Sequence, residues 1–168
     1  MSNRVKILLF CLSTMVFIGC DRVTKDLAKE HLKNKASVSY LNNTIQLIYA
    51  ENTGAALNLG DSLSKTASFW LLSILPLAFL VALSVYTIRQ SKEMTIMKLF
   101  SFALIIAGGM GNILDRLLFD RHVTDFMLVD VKGVHTGIFN FADVCVTAGA
   151  IGLLIFHRDK KINKEIPV

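Results

Sequence analysis

Apolar positions in this chain fall into four long runs separated by polar stretches. The first covers residues 5–20, led by Arg4 and Lys6. It is short for a bilayer crossing, which takes about 20 residues. Lys6 can still bury its stem and keep its ammonium in water, so a crossing is feasible. The second run, 67–88, carries Pro76 in its middle. A proline kink is expected there, tolerated where neighbouring groups satisfy the freed carbonyl. The third, 96–118, contains Ala107, Gly108, Gly109 and Gly111, small residues that let helices approach closely. The fourth, 140–156, repeats that feature with Ala148 and Gly152.

The stretches between the runs have structure of their own. From Asp21 to Lys33 the pattern DRVTKDLAKEHLK reads as a charged helical extension of the first run. Asp21 and Lys25 stand one turn apart, acid first, which is the favourable order. Residues 37–49 are rich in Val, Tyr, Thr and Ile, with Asn42-Asn43 at the centre, and predict a small hairpin. Residues 124–139 have the same character, with Lys132-Gly133 as the turn. The expected architecture is an all-α integral membrane protein: four transmembrane helices with a small extracytoplasmic β platform. The whole of 1–168 is expected to form one domain, with outer segments at 21–66 and 119–139.

Composition agrees. Hydrophobic residues make up 53% of the 168 and charged residues 18%, against roughly 25% charged for an average soluble domain. Mean hydropathy is +0.52. Disordered chains, coiled coils and secreted disulfide scaffolds are thereby excluded. The net charge of +5 fits basic loops beside an anionic membrane surface, and no basic stripe with interleaved aromatics suggests nucleic acid. Segments 1–6, 89–98 and 157–168 hold nine Lys/Arg against three Asp/Glu, whereas 21–66 and 115–138 hold nine of each over many more residues. Basic density therefore favours both termini in the cytoplasm. Cys11, Cys20 and Cys145 are odd in number and form no disulfide framework. His31, His122, His135 and His157 are scattered, and no metal site is expected.

Charge beside an apolar run is expensive and calls for a reason. Asp143 lies at the start of the fourth run, three residues after Asn140. That spacing fits a capping box, and it equally fits a carboxylate held at the membrane edge for proton chemistry. Asp125, between apolar neighbours after the third run, is a loop acid or the partner of Asp143. Two carboxylates at close range cannot both ionise cheaply and come to share a proton. Such a pair can polarise a carbonyl while activating water. Asn112 and Arg116 share a helix face at i,i+4, suited to backbone carbonyls or a lipid head group, while Asp115-Arg116 is also readable as a surface charge pair. Asn52-Thr53-Gly54 signals a turn, with an amide offered to an extended peptide.

Taken together these segments resemble the lipoprotein signal peptidase (signal peptidase II) family. Asp21-Arg-Val-Thr-Lys25 resembles its D-x-x-T-K, and Asn52-Thr-Gly-Ala-Ala56 its N-x-G-A-A. Gly111-Asn-Ile-Leu-Asp-Arg116 resembles G-N-x-x-D-R. His122-Val-Thr-Asp-Phe126 is similar to V-x-D-F, and Phe139-Asn-Phe-Ala-Asp143 to F-N-x-A-D. The five occur in family order over about 21–155. Leu57 stands where the family often has Phe, and Gly109-Met110 where it often has Ala-Leu, differences that bear on the lipid-facing wall.

The resemblance implies an aspartic endopeptidase of the bacterial inner membrane, multi-pass, with its site at the extracytoplasmic face. It implies removal of signal peptides from diacylglyceryl-modified prolipoproteins, with the cut just before the lipidated cysteine. It makes Asp125 and Asp143 the catalytic pair. Asp21, Lys25, Asn52, Gly54, Asn112, Asp115, Arg116, Asn140 and Ala142 then support or line the site. No cofactor or metal is expected. The expected partners are the prolipoprotein and membrane lipid, with no nucleic acid, acting on a monomer. Because Asp143 falls in a helix's first turn, where the dipole favours an anion, it is expected to be the ionised partner and Asp125 the acid. Two other readings exist: a lipoprotein anchored at Cys20 after Val16-Phe-Ile-Gly19, and a small proton-coupled transporter.

Overall fold

The computed structural model describes residues 1–54 and 62–156. Ala55, Ala56, Leu57, His157 and the basic segment 157–168 lie outside the described residues. The first apolar run and its charged extension form one helix, α1 (Asn3–Leu32), with Ser2 accepting a hydrogen bond from the Val5 N–H at its start. After it come β1 (Val38–Tyr40) and β2 (Ile45–Asn52). The second run begins as α2 (Lys65–Ser68), widens to a π-helical stretch over Phe69–Ile74 and continues as α3 (Leu75–Gln90). Then follow α4 (Ile96–Leu118), β3 (Val123–Val131), β4 (Val134–His135) and α5 (Phe141–Ile155).

Pro76 does not sit mid-helix as a simple kink. It is the second residue of α3, and the turn before it is the wider π form, in which the Leu75 N–H reaches back to the Trp70 carbonyl. Proline has no N–H and crowds the turn behind it, and a π turn makes room for the ring.

Among the described residues three spans are long and apolar enough to cross a membrane: Asn3–Leu32, Lys65–Glu93 and Ile96–Leu118. The helix Phe141–Ile155 is apolar but shorter, about 22 Å at the α-helical rise. Large apolar side chains on the outer surface, among them Leu12, Met15, Leu75, Phe79 and Leu154, are exposed. Lipid, not water, is the solvent for such a belt. Inside, Leu99, Phe102, Ala103 and Ile106 of α4 pack with Phe10 and Met94. Higher up, Phe17 of α1 meets Phe100 and Phe141, ring centroids 5.6 and 6.4 Å apart.

Glycines set the helix spacing. A Cβ on Gly108 would strike the Ala142 carbonyl oxygen and come 2.8 Å from Val146 Cγ2. A Cβ on Gly111 would strike the Asp21 carboxylate. Gly108 and Gly111 therefore let α4 lie hard against the start of α5 and the middle of α1, as small-residue contacts do within membranes. At the opposite end, Lys6 Nζ donates to the carbonyls of Ser91, Lys92 and Met94 at 3.3, 3.2 and 2.7 Å. That ammonium gathers carbonyls left open beyond α3.

The strands form one antiparallel sheet in the order β1-β2-β3-β4. Asn42 and Asn43 occupy the first turn and Lys132-Gly133 the last, with Asn42, Asn43, Lys132 and Gly133 all at positive φ. The β2–β3 register slips between Leu47 and Ala50, so that Leu47 faces Met127 but Ala50 faces Asp125. One extra residue on β2 makes a bulge. It puts Ala50 and Asn52 on the same face as Val123 and Asp125, with Asn52 diagonal to Asp125.

Candidate active site

The site is built on a lysine that has no water to face. Lys25 is fully buried, and its Nζ spends its three protons on Asp21 Oδ2 at 2.8 Å, Asp115 Oδ2 at 3.0 Å and Asn112 Oδ1 at 3.0 Å. Asp21 Oδ1 accepts the Ala142 N–H at 2.9 Å, and Asp115 accepts Arg22 at 2.7 Å and the Thr124 N–H at 3.3 Å. Two carboxylates thus face two cations, with their remaining lone pairs on backbone N–H groups. A buried ion cluster is sustained only under that condition. Asp115 is no surface charge: it is 1% exposed.

Three asparagines carry the order outward. An ammonium can only donate, so Lys25 holds Asn112 with its oxygen inward and its amide nitrogen toward Asp143 Oδ1, 2.9 Å away. Asn140 takes the Asp143 N–H on its Oδ1 at 3.1 Å. Its Nδ2 then faces Asp125 Oδ1 at 2.7 Å and Asn112 Oδ1 at 3.0 Å. Asn52 accepts the Gly54 N–H at 2.9 Å and donates to Asp125 Oδ2 at 3.1 Å. In each case a partner of only one polarity settles which way the amide points.

Asn140 caps α5 in a capping box with Asp143, whose Oδ2 accepts the Asn140 N–H at 3.0 Å. The capping reading of Asp143 is met, and Asp143 also lies in one hydrogen-bonded cluster with Asp125. The same asparagine bonds both aspartates, which is how residues 125 and 143 come together. Asp125 is 4% exposed. Burial pushes its carboxyl up to about 6, against the hydrogen bonds from Asn52 and Asn140 and with the neighbouring Asp143 charge adding to the rise. Arg116 donates to the Gly54 carbonyl at 2.6 Å and the Asn112 carbonyl at 3.1 Å, while its Nε is buried without a partner.

These groups line a cleft of about 470 Å³ whose lining includes both aspartates, Asn112 and Arg116, together with residues 136–139. On the helix side it descends to Val146 and Thr147, one turn into the membrane from Asp143. All eleven residues singled out from the sequence are drawn together: Asp21, Lys25, Asn52, Gly54, Asn112, Asp115, Arg116, Asp125, Asn140, Ala142 and Asp143. Sequence reasoning missed Arg22, although its i,i+4 spacing to Asp26 and its place beside Asp21 were visible. It also missed Thr147, whose signal was the i+4 step from Asp143. Among the described residues no three His, Cys, Asp or Glu side chains are grouped to hold a metal.

Apolar helices of membrane length, ending in a cleft that holds two carboxylates, define a membrane protein built as an enzyme. Comparison narrows the class. The family model described as signal peptidase (SPase) II matches residues 13–158. A lipoprotein signal peptidase of Chlorobaculum parvum is 37% identical, covering 92% of this chain and 97% of its own length. One from Clostridium acetobutylicum is 34% identical over 89% of this chain and 95% of its own. A bacterial membrane enzyme solved by the in meso method at 2.3 Å resolution superposes with a TM-score of 0.76 at 28% identity, over 95% of this chain and 94% of the other. The chain belongs to the signal peptidase II family and is an aspartic peptidase of that type.

Proposed function

We propose that this protein removes signal peptides from diacylglyceryl-modified bacterial prolipoproteins, cutting just before the lipidated cysteine, with Asp125 and Asp143 as the catalytic pair. The observation that carries the reading is the single Asn140 side chain and backbone bonding both carboxylates in one cleft at the end of the membrane helices. In this reading Asp143 is the ionised partner, held by the Asn140 N–H and the Asn112 amide at the first turn of α5. It takes a proton from water. Asp125, the more buried, carries the proton that hydrogen-bonds the scissile carbonyl oxygen. Water adds to give a gem-diol, and return of a proton to nitrogen releases the amine of the cysteine. The two carboxylates supply acid and base, so no cofactor enters.

The chain acts as one domain over 1–168, as a monomer in the inner membrane, with both termini cytoplasmic and the cleft at the extracytoplasmic face. The clustering of Lys6 with the 89–98 segment at the end away from the cleft supports that orientation. The diacylglyceryl tails stay in lipid while the extended peptide crosses the cleft, along the wall that includes Gly137 and Ile138.

The test is incubation of the purified protein with a diacylglyceryl-modified prolipoprotein beside its unlipidated form. Cleavage of the first alone is expected. D125N and D143N, still inserted and folded, are expected to lose at least about a thousandfold in rate, within the span of general acid–base effects. Retained turnover by either variant would refute the pair.

A further inference from the structure

A second pocket, apolar for the most part but with charged side chains in its lining, lies where α2 meets the end of α4 and shares only Arg116 with the cleft. It encloses about 390 Å³ and is lined by Lys65, Phe69, Arg116, Leu117, Asp120 and Arg121, among others. Arg121 is its centre. The turn after α4 puts Asp120 and Arg121 both at positive φ, 46° and 75°. A residue with a Cβ is held in that conformation only where its surroundings require it, Asp more readily than Arg. It brings Arg121 Nε to Ser68 Oγ at 2.8 Å, a hydroxyl that is itself buried. Arg121 Nη2 is buried and has no hydrogen-bond partner. Leaving a buried donor unmatched is unfavourable, and a guanidinium more so than an amide. Lys65 Nζ pairs with Asp120 at 3.1 Å. Lys65 and Arg121 thus share Asp120, the one acid in the pocket lining, while Arg116 is turned to the Gly54 and Asn112 carbonyls of the active site.

We propose that this pocket binds the phosphodiester of an anionic membrane lipid. Lys65 opens one membrane span and Arg121 lies just past the end of another. The pocket is therefore at headgroup depth, where Arg and Lys side chains reach lipid phosphates. A phosphate answers the surplus positive charge of Lys65 and Arg121 through charge-assisted hydrogen bonds. Phe69 and Leu117 form an apolar lip along which acyl chains run, which a free anion would not use. The surplus positive charge disfavours a choline head. Nothing in this proposal depends on the identity of the catalytic groups.

Trp70 is the only tryptophan and packs edge-on to Phe69 of the pocket wall, ring centroids 5.8 Å apart. It serves as the reporter in proteoliposomes of phosphatidylcholine containing brominated phosphatidylglycerol or brominated phosphatidylcholine. Half-quenching by the anionic lipid is expected at a fraction about fivefold lower, the weight of one basic residue against an anionic headgroup. Arg121→Gln should erase the difference, with Lys65→Gln as the second variant should the first misfold. Arg121→Lys should keep most of it, and Lys132→Gln, on the far hairpin, all of it. Equal quenching by the two lipids overturns the proposal, as does a preference surviving in both glutamine variants. Loss of the preference when inorganic phosphate is added assigns the site to a free anion and overturns the lipid.

Discussion

An ammonium can donate and never accept, and at the scale of single residues that asymmetry organises the site. Lys25 orients Asn112, and Asn112 in turn presents a donor to Asp143. K25M would leave Asp21 and Asp115 buried with too little compensating charge. Breaking a buried ion pair from one side costs about 3–5 kcal/mol, so a large drop in melting temperature is expected, read by thermal unfolding in detergent. The proposed acid makes a separate prediction. Asp125 titrates near 6 because it is buried. It holds its proton below that pH and loses it above. If cleavage needs the protonated form, kcat/KM falls about tenfold per pH unit on the alkaline side of that value, since this ratio reports free-enzyme groups. A profile flat from pH 5 to about 8 would remove Asp125 from the acid role. At this scale the sequence was informative about residue types: the aspartates, asparagines and lysine stood out as polar groups beside apolar runs. It could not show that Asp115 is buried, because an Asp-Arg dipeptide at a helix end looks the same on a surface.

Helices and strands were legible in proportion to how local their causes are. Asn140 and Asp143, three apart, are a capping box in sequence and in space. The turn residues Asn42-Asn43 and Lys132-Gly133 marked both hairpins because few residue types tolerate positive φ. The π turn before Pro76 was not legible as such; proline announces a disturbance but not which neighbouring turn absorbs it. The bulge in β2 was hidden too, since it depends on which residue of β3 lies opposite. Close packing makes a prediction at this scale. Gly111→Ala puts a methyl into the Asp21 carboxylate. Overpacking of that kind costs about 1–3 kcal/mol, and both melting temperature and cleavage are expected to fall. A Cβ on Gly19, by contrast, would meet nothing within 4 Å. Gly19→Ala should hold or raise stability, by up to about 1 kcal/mol of helix propensity, read as an unchanged or higher melting temperature.

For the molecule as a whole, the arrangement separates a basic end from a working end. Lys6 and the α3–α4 connection lie at one, and the sheet, the cleft and Arg121 at the other. Cysteine introduced at Val134, exposed on β4, should react with a membrane-impermeant maleimide in cells whose outer barrier is opened. Cysteine at Lys92 should react only after the inner membrane is breached. The reverse pattern would invert the proposed orientation. Sequence alone determined the apolar runs, the caps, the turns and the set of polar residues set against lipid, because each is written in neighbours a few positions apart. Only the tertiary structure decided that Asp125 and Asp143 meet through Asn140, that Lys25 reaches Asn112 across two helices, and that Arg121 is left with an unmatched donor. Those are contacts between segments far apart in the chain, fixed by how closely glycine lets helices pack and by where buried donors find acceptors.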